Sequence, residues 1–262
     1  MVLIAVAGGT GLSGRAVIEE VLARGHKVRS LTRRPPSAEA RVAGAEYVHC
    51  DFHTGEGVAA GLLGVDALVE TLDARSGAGL RALPVTSVAV LNAAAAAGVK
   101  RCVLLTIVRA GECSVGYYQA QAARALSYEH SGMATSVVYS TQFHNLLAGI
   151  FSAGAKVGVI PAFRGVSFQT IATADVARVL VGEALVEDPG HRPVLAGGPE
   201  VQAMAELAKE WKGVTGSKAR VTTMPLPGSF GTFLRLGKNL IPEHAVGQQS
   251  FGQWLQSKTH VS

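Results

Sequence analysis

The sequence predicts an α/β protein: a doubly wound parallel sheet followed by a small C-terminal lobe. Three observations lead there. From residue 2 to about 140, short β-branched runs alternate with longer helical stretches. A glycine-rich turn, AVAGGTGLSG, joins the first strand to the first helix. After Tyr139 the alternation gives way to shorter, turn-rich pieces.

Strands are expected at Val2–Ala7, Lys27–Thr32, Ala45–His49, Ala67–Thr71, Arg101–Ile107 and Thr135–Tyr139. Helices are expected from Gly14 to Arg24, Val85 to Ala97 and Tyr117 to Ser131. Each is followed by a glycine (Gly25, Gly98, Gly132), the residue that most readily takes the left-handed conformation ending a helix. Apolar strands separated by helices imply a parallel sheet covered on both faces. Residues 140–170 predict a short helical piece and a turn-rich VGVIPAFRG. Beyond it, residues 173–187 read as a helix with Thr173 or Asp175 near its start. Pro193–Ala196 reads as a strand, Glu200–Val214 as a helix and Val221–Met224 as a strand. The tail from Pro225, rich in Gly, Pro and Phe, predicts no element.

Composition narrows the class. At 262 residues, 48% hydrophobic and 16% charged, with 31 glycines, the chain suits one compact α/β domain with an added lobe. No run reaches the 18 or so uninterrupted apolar residues of a spanning helix. The apolar start VLIAVA is cut by glycines and has no basic region before it, so it reads as a strand rather than a signal peptide. Cys50, Cys102 and Cys113 form no close pair, which argues against a disulfide framework or a metal site and for a reducing, cytoplasmic setting. The net charge of +5 is scattered except between Arg24 and Arg41, where six Lys or Arg face only Glu39. Such a cluster suits a small anion better than a duplex, so neither nucleic acid nor membrane is expected as a partner.

The glycine turn predicts what that anion is. Gly8, Gly11 and Gly14 are three apart, with Thr10 and Leu12 between them. That spacing serves a tight turn, close approach of backbone to a pyrophosphate, and close packing of helix on strand. The second strand ends LTRRPP, with Arg33 and Arg34 where an NAD site would place an acid for the ribose 2′-hydroxyl. Guanidinium groups suit a 2′-phosphate, so the expected cofactor is NADP(H). Asp51 and Phe52 after the third strand would lie by the adenine, and Thr71 and Leu72 after the fourth would flank the cofactor. Residues 1–140 then form the NADP(H)-binding core, and residues 141–262 complete it and build the substrate lobe.

In order along the chain stand GGTGLSG, TRRP, LLTIV, GYYQAQAA and STQFHNLL. Together they resemble the atypical short-chain dehydrogenases/reductases, in particular the NmrA-like NAD(P)-binding proteins. The resemblance implies a Rossmann core and a smaller lobe closing over the substrate. It also implies either a reductase of carbonyls, quinones, enones or imines, or a non-catalytic NADP-sensing regulator that binds a protein partner. It further places Thr106 where the family often has Ser, the tyrosine at Tyr117, and Gln121 where the lysine four residues on belongs. Glutamine keeps a hydrogen bond but not the charge that lowers a tyrosine pKa. In sequence the nearest lysines are Lys100 and Lys156. A tyrosine with its ordinary pKa of about 10 is still protonated at neutral pH, so reduction survives while oxidation weakens. A substrate with an acidic hydroxyl of its own would be an alternative proton source.

The expected activity is therefore NADPH-dependent reduction of a hydrophobic ketone, quinone or enone, polycyclic intermediates included, by a monomer or homodimer. Thr106, Tyr117 and Gln121 are its expected catalytic residues. Tyr118, Gln142, Phe143 and His144 are its expected substrate contacts, although packing is the default for Tyr118 and packing or capping for His144.

Overall fold

The protein is described here by a computed structural model covering residues 1–187 and 190–259. The final three residues of the expected second segment lie outside the described residues. The chain forms two compact units.

The first unit takes in Met1–Thr106, Gly116–Tyr139 and Val176–Val194. Its strands are β1 (Leu3–Ala7), β2 (Lys27–Thr32), β3 (Glu46–His49), β4 (Ala67–Glu70), β5 (Arg101–Ile107), β6 (Thr135–Ser140) and, late in the chain, β9 (Arg192–Ala196). They make one sheet in the order β3-β2-β1-β4-β5-β6-β9. The pairs β1–β2, β2–β3, β1–β4 and β4–β5 are parallel, with Ala7 level with Leu31 on one side and Glu70 on the other. Ile4, Ala5, Val6 and Ala7 are fully buried, as a strand covered on both faces must be. The chain runs outward from β1 to β3, then returns to β4 on the other flank of β1. That reversal opens a crevice beyond the carboxyl ends of β1 and β4, the ordinary ligand position of a doubly wound sheet.

Helices α1 (Leu12–Ala23), α2 (Val58–Leu62), α3 (Gly77–Ala96), α4 (Gly116–Glu129) and α6 (Thr173–Ala184) accompany these strands. The five-residue α2 was not expected from sequence. α3 starts eight residues earlier than Val85, with Pro84 inside it. Its length and mean hydropathy of 1.3 match a membrane-crossing helix. However, Leu83, Ser87, Val90, Leu91 and Ala94 form an inner face, and the helix packs along α4.

The second unit takes in Ile107–Val115, Ser140–Asp175 and the chain from Leu195 onward. Here VGVIPAFRG is a strand and not a turn: β7 (Val159–Phe163) lies parallel to β11 (Arg220–Met224), from Val159 opposite Arg220 to Phe163 opposite Met224. Ile160 and Ala162 are buried while their neighbours are partly open, a period of two that the flanking Gly and the internal Pro disguise. β8 (Ser167–Phe168) pairs antiparallel with β10 (Gln202–Ala203), so α7 (Met204–Thr215) begins later than the expected Glu200. α5 (His144–Ala155) carries Phe151, whose ring meets Trp211 of α7 and Phe251 of α9 (Phe251–Thr259). The unassigned tail thus supplies two helices, α8 (Gly228–Arg235) and α9.

Candidate active site

The glycine turn sits at the carboxyl end of β1, and each of its glycines answers to a different constraint. Gly8 has φ +90, a conformation side chains resist. Gly14 lies against the turn so closely that a Cβ there would come 2.2 Å from the carbonyl oxygen of Gly8. Gly11 is extended (φ −79, ψ 172), and a Cβ there would meet only the Gly8 oxygen, at 3.3 Å. The positive φ of this turn is therefore at Gly8 and not at Gly11. Gly11 caps α1 without any side-chain hydrogen bond to the helix, and the first turn of α1 holds no acid. Its amide groups and the positive end of its dipole thus face exposed Thr10, Gly11 and Leu12, the arrangement that receives a phosphate.

The basic cluster divides sharply. Arg24 donates to Glu20 and to the Arg178 carbonyl. Arg29 is held by Glu46 and by the carbonyls of Gly61 and Leu63. Arg41 donates to the Pro36 carbonyl and lies over the Tyr47 ring. Lys27 stands at the opposite end of β2. Among the described residues, Arg33 and Arg34, exposed just past the carboxyl end of β2, are tied in only through their backbones: the Arg33 carbonyl to the His49 ring, and Arg34 N–H and C=O to the Thr32 hydroxyl. Asp51 accepts the backbone N–H of His53 at 2.8 Å, and Phe52 packs against the core.

Across the crevice, Thr71 ties β4 to β1 by donating both its amide and its hydroxyl to the Ala7 carbonyl. Leu72 follows, half-buried against the core. Next comes Asp73, which the sequence reading missed. Its Oδ1 accepts the Tyr117 hydroxyl at 3.0 Å and the Gln121 amide at 3.3 Å. Burial, the Asp73 charge and that hydrogen bond all push the Tyr117 phenol well above its ordinary pKa; the Gln121 hydrogen bond and Arg75 oppose them more weakly. Tyr117 is thus a weaker acid than the free side chain assumed from sequence. Thr106 is buried, and its hydroxyl donates to the main-chain carbonyl of Gln121. It anchors α4 to β5, in place of the catalytic role expected from the sequence. Tyr118 is buried edge-on to Tyr117 and belongs to the core of this unit, not to an open substrate wall.

Behind Gln121 lies a second cluster that periodicity did not reveal. Arg124 (1% exposed) donates to Gln121 Oε1 at 2.7 Å, to Ser87 at 2.9 Å and to Glu70 at 2.8 Å. Glu70, fully buried, also accepts Ser87 at 2.6 Å and Tyr128 at 2.6 Å. Two buried charges that satisfy each other this completely avoid most of the cost of leaving water. A carboxylate ending one apolar strand and an arginine seven residues after a site tyrosine were the available signals.

In the second unit, His144 does begin a helix, but it is fully buried. Nδ1 bonds the Thr170 hydroxyl at 2.8 Å, Nε2 the Gln249 carbonyl at 2.9 Å, and the ring packs on Phe251 and Trp254. Burial lowers its pKa. Both nitrogens are committed and no surface is left for a substrate, which overturns the substrate assignment. Gln142 is buried, its Oε1 3.5 Å from Asn239 Nδ2. Half-buried Phe143 bridges to Ile171.

A parallel sheet with a crevice at its reversal, a glycine turn leaving the first helix uncapped, and two uncommitted arginines beyond the second strand define a dinucleotide-binding protein. The profile of the NAD(P)H-binding family matches residues 8–189, and the chain belongs to that family. Its fold is that of an NADPH-dependent quinone oxidoreductase (QOR2) from Escherichia coli, at 17% identity, 98% and 99% coverage of the two chains and a TM-score of 0.78. The same enzyme complexed with NADPH aligns at 18% identity, 98% and 99% coverage and TM-score 0.77. A short-chain dehydrogenase/reductase superfamily protein from Agrobacterium tumefaciens with bound NAD aligns at 17% identity, 99% and 96% coverage and TM-score 0.75. A UDP-glucose 4-epimerase from Thermotoga maritima aligns at 14% identity, 99% and 100% coverage and TM-score 0.77. No curated protein sequence matches the chain. The NAD(P)-binding character expected from the motifs agrees with the family match.

Proposed function

We propose that the protein is an NADPH-dependent reductase of hydrophobic carbonyl compounds, with quinones as its best acceptors. The observation that carries this is the hydrogen-bonding around Tyr117. Its hydroxyl is spent on Asp73, and the residue four positions on is Gln121, whose amide also points to Asp73. A site so arranged has no ammonium to acidify the phenol, so it favours an acceptor that asks little of an enzyme acid. A quinone is such an acceptor, because its reduced oxygen is only weakly basic and takes a proton from water. The bound nicotinamide supplies the hydride. The chain's part is to hold the pyrophosphate at the start of α1, to position the reactants, and to exclude water.

The preference for NADP(H) rests on Arg33 and Arg34, the two members of the basic cluster with no other side-chain duty. Asp51, Phe52, Thr71 and Leu72 are assigned to the cofactor's edges. Three buried cysteines suit the reducing cytoplasm, and a monomer or homodimer suffices for the chemistry.

The test is NADPH consumption, followed by absorbance, against a panel of quinones, enones and simple ketones, with NADH in parallel. Faster turnover of quinones than of ketones is the expected result. Tight NADPH binding with no consumption by any acceptor would refute the reading and favour a regulatory protein that senses the cofactor.

A further inference from the structure

Asp73 belongs to none of the motifs that define the site, yet it is the residue on which Tyr117 and Gln121 converge. We propose that Asp73 determines acceptor specificity: its carboxylate captures the Tyr117 hydroxyl and withholds an enzyme acid from the substrate. The proposal rests on the reductase reading and names the side chain that restricts its acceptors.

The polarity of the hydrogen-bond chain follows from its far end. A guanidinium only donates, so the Gln121 atom 2.7 Å from Arg124 Nη1 must be the amide oxygen. The Gln121 NH2 group therefore faces Asp73 Oδ1, and an ionised carboxylate only accepts. The Tyr117 proton accordingly lies toward Asp73, away from any acceptor. Arg124 is locked in this pose by Ser87 and Glu70 and is a positioning residue acting through Gln121.

The charges decide which effect wins. Arg124 does not replace the absent lysine, because Glu70 compensates its charge at 2.8 Å within the same buried cluster. Arg75 lies 3.7 Å from Asp73 Oδ2, yet it is 72% exposed, where solvent and salt weaken it. The charge nearest the phenol is therefore negative. A lysine ammonium there would favour the phenolate; the carboxylate opposes it.

The chemical consequence separates acceptors. Reducing a ketone places a hydride from the nicotinamide on carbon, breaks the C=O π bond and leaves the electron pair on oxygen, which must gain a proton. The resulting alkoxide is too basic to form readily without an acid beside it. A quinone accepts the same hydride equivalent and leaves as a hydroquinone anion, which water protonates.

The test replaces the charge and keeps the shape: Asp73→Asn in the full-length protein, with Asp73→Ser as a second variant. Ultraviolet difference titration of the phenolate band, with the matching Tyr117→Phe background subtracted, reports Tyr117 alone. In both variants the phenol should titrate at least about one pH unit lower than in the wild type. The ratio of ketone to quinone turnover with NADPH should rise about tenfold or more, within the range of general acid catalysis. An unmoved phenol titration overturns the proposal, and so does a lowered titration with an unchanged turnover ratio. If the wild type reduces no quinone, the functional reading falls by itself, and the titration still decides whether Asp73 holds the phenol.

Discussion

Replacing Arg124 by Met is the most demanding test of how the site is held. The methionine has similar length but no charge and no donor, so three contacts end at once, those to Glu70, Ser87 and Gln121, and the fully buried carboxylate loses its compensating charge. Glu70 keeps the Ser87 and Tyr128 hydroxyls, which soften the loss without neutralising the charge. Breaking one side of a buried ion pair costs about 3–5 kcal/mol. At roughly 2–4 °C per kcal/mol for a chain of this size, the midpoint of thermal unfolding should fall by about 6–20 °C. Glu70→Gln should cost a comparable amount, because it strands the guanidinium instead. The double variant carries neither charge and should recover at least half of the summed loss, a large favourable coupling in a double-mutant cycle. Circular dichroism melts of the four proteins measure all of this. A single Arg124→Met variant melting within about 2 °C of the wild type, or strictly additive losses in the double variant, would refute the account of the cluster.

Other consequences are equally direct. Arg33→Ala or Arg34→Ala should each weaken NADPH binding about ten- to a hundredfold, for the loss of one charged hydrogen-bonded contact, and leave NADH binding almost unchanged; fluorescence titration with both cofactors checks it. Gly14→Ala should destabilise the protein as well as impair cofactor binding, since its Cβ would fall 2.2 Å from the Gly8 oxygen, whereas Gly11→Ala, with 3.3 Å, should fold normally and lose affinity alone. Melting and binding measured on both variants separate the two outcomes. His144 is held neutral, with its folded pKa below its unfolded value of about 6.5, so the unfolded chain binds the proton first and stability drops as pH falls through that range. His144→Gln should therefore show a flatter dependence of melting temperature on pH between about 7 and 5 than the wild type.

Much of the fold was legible because its signals are local. A period of two or of 3.6 shows within a few turns of chain, and a glycine forced into positive φ at Gly8 marks the β1–α1 turn whatever surrounds it. The strands through β6, the glycine turn, Arg33, Arg34 and the Tyr117–Gln121 spacing could all be found this way. Local signals misled where a long-range pairing overrode them. VGVIPAFRG became a strand because Arg220–Met224 lies beside it. Glu200 was left out of its helix because Gln202 and Ala203 pair with β8.

The candidate site's chemistry depended on closures that no window along the chain contains. Asp73 meets Tyr117 across 44 residues, Glu70 meets Arg124 across 54, and His144 is sealed by Gln249 across 105. Sequence alone determined that a tyrosine without its lysine stands at the start of α4. Only the tertiary structure decided that an aspartate takes up its hydroxyl and that a compensated ion pair orients its neighbour. Hydrogen bonds and charge interactions act over a few ångströms, and it is the return of the chain to β4 that brings these groups within that range.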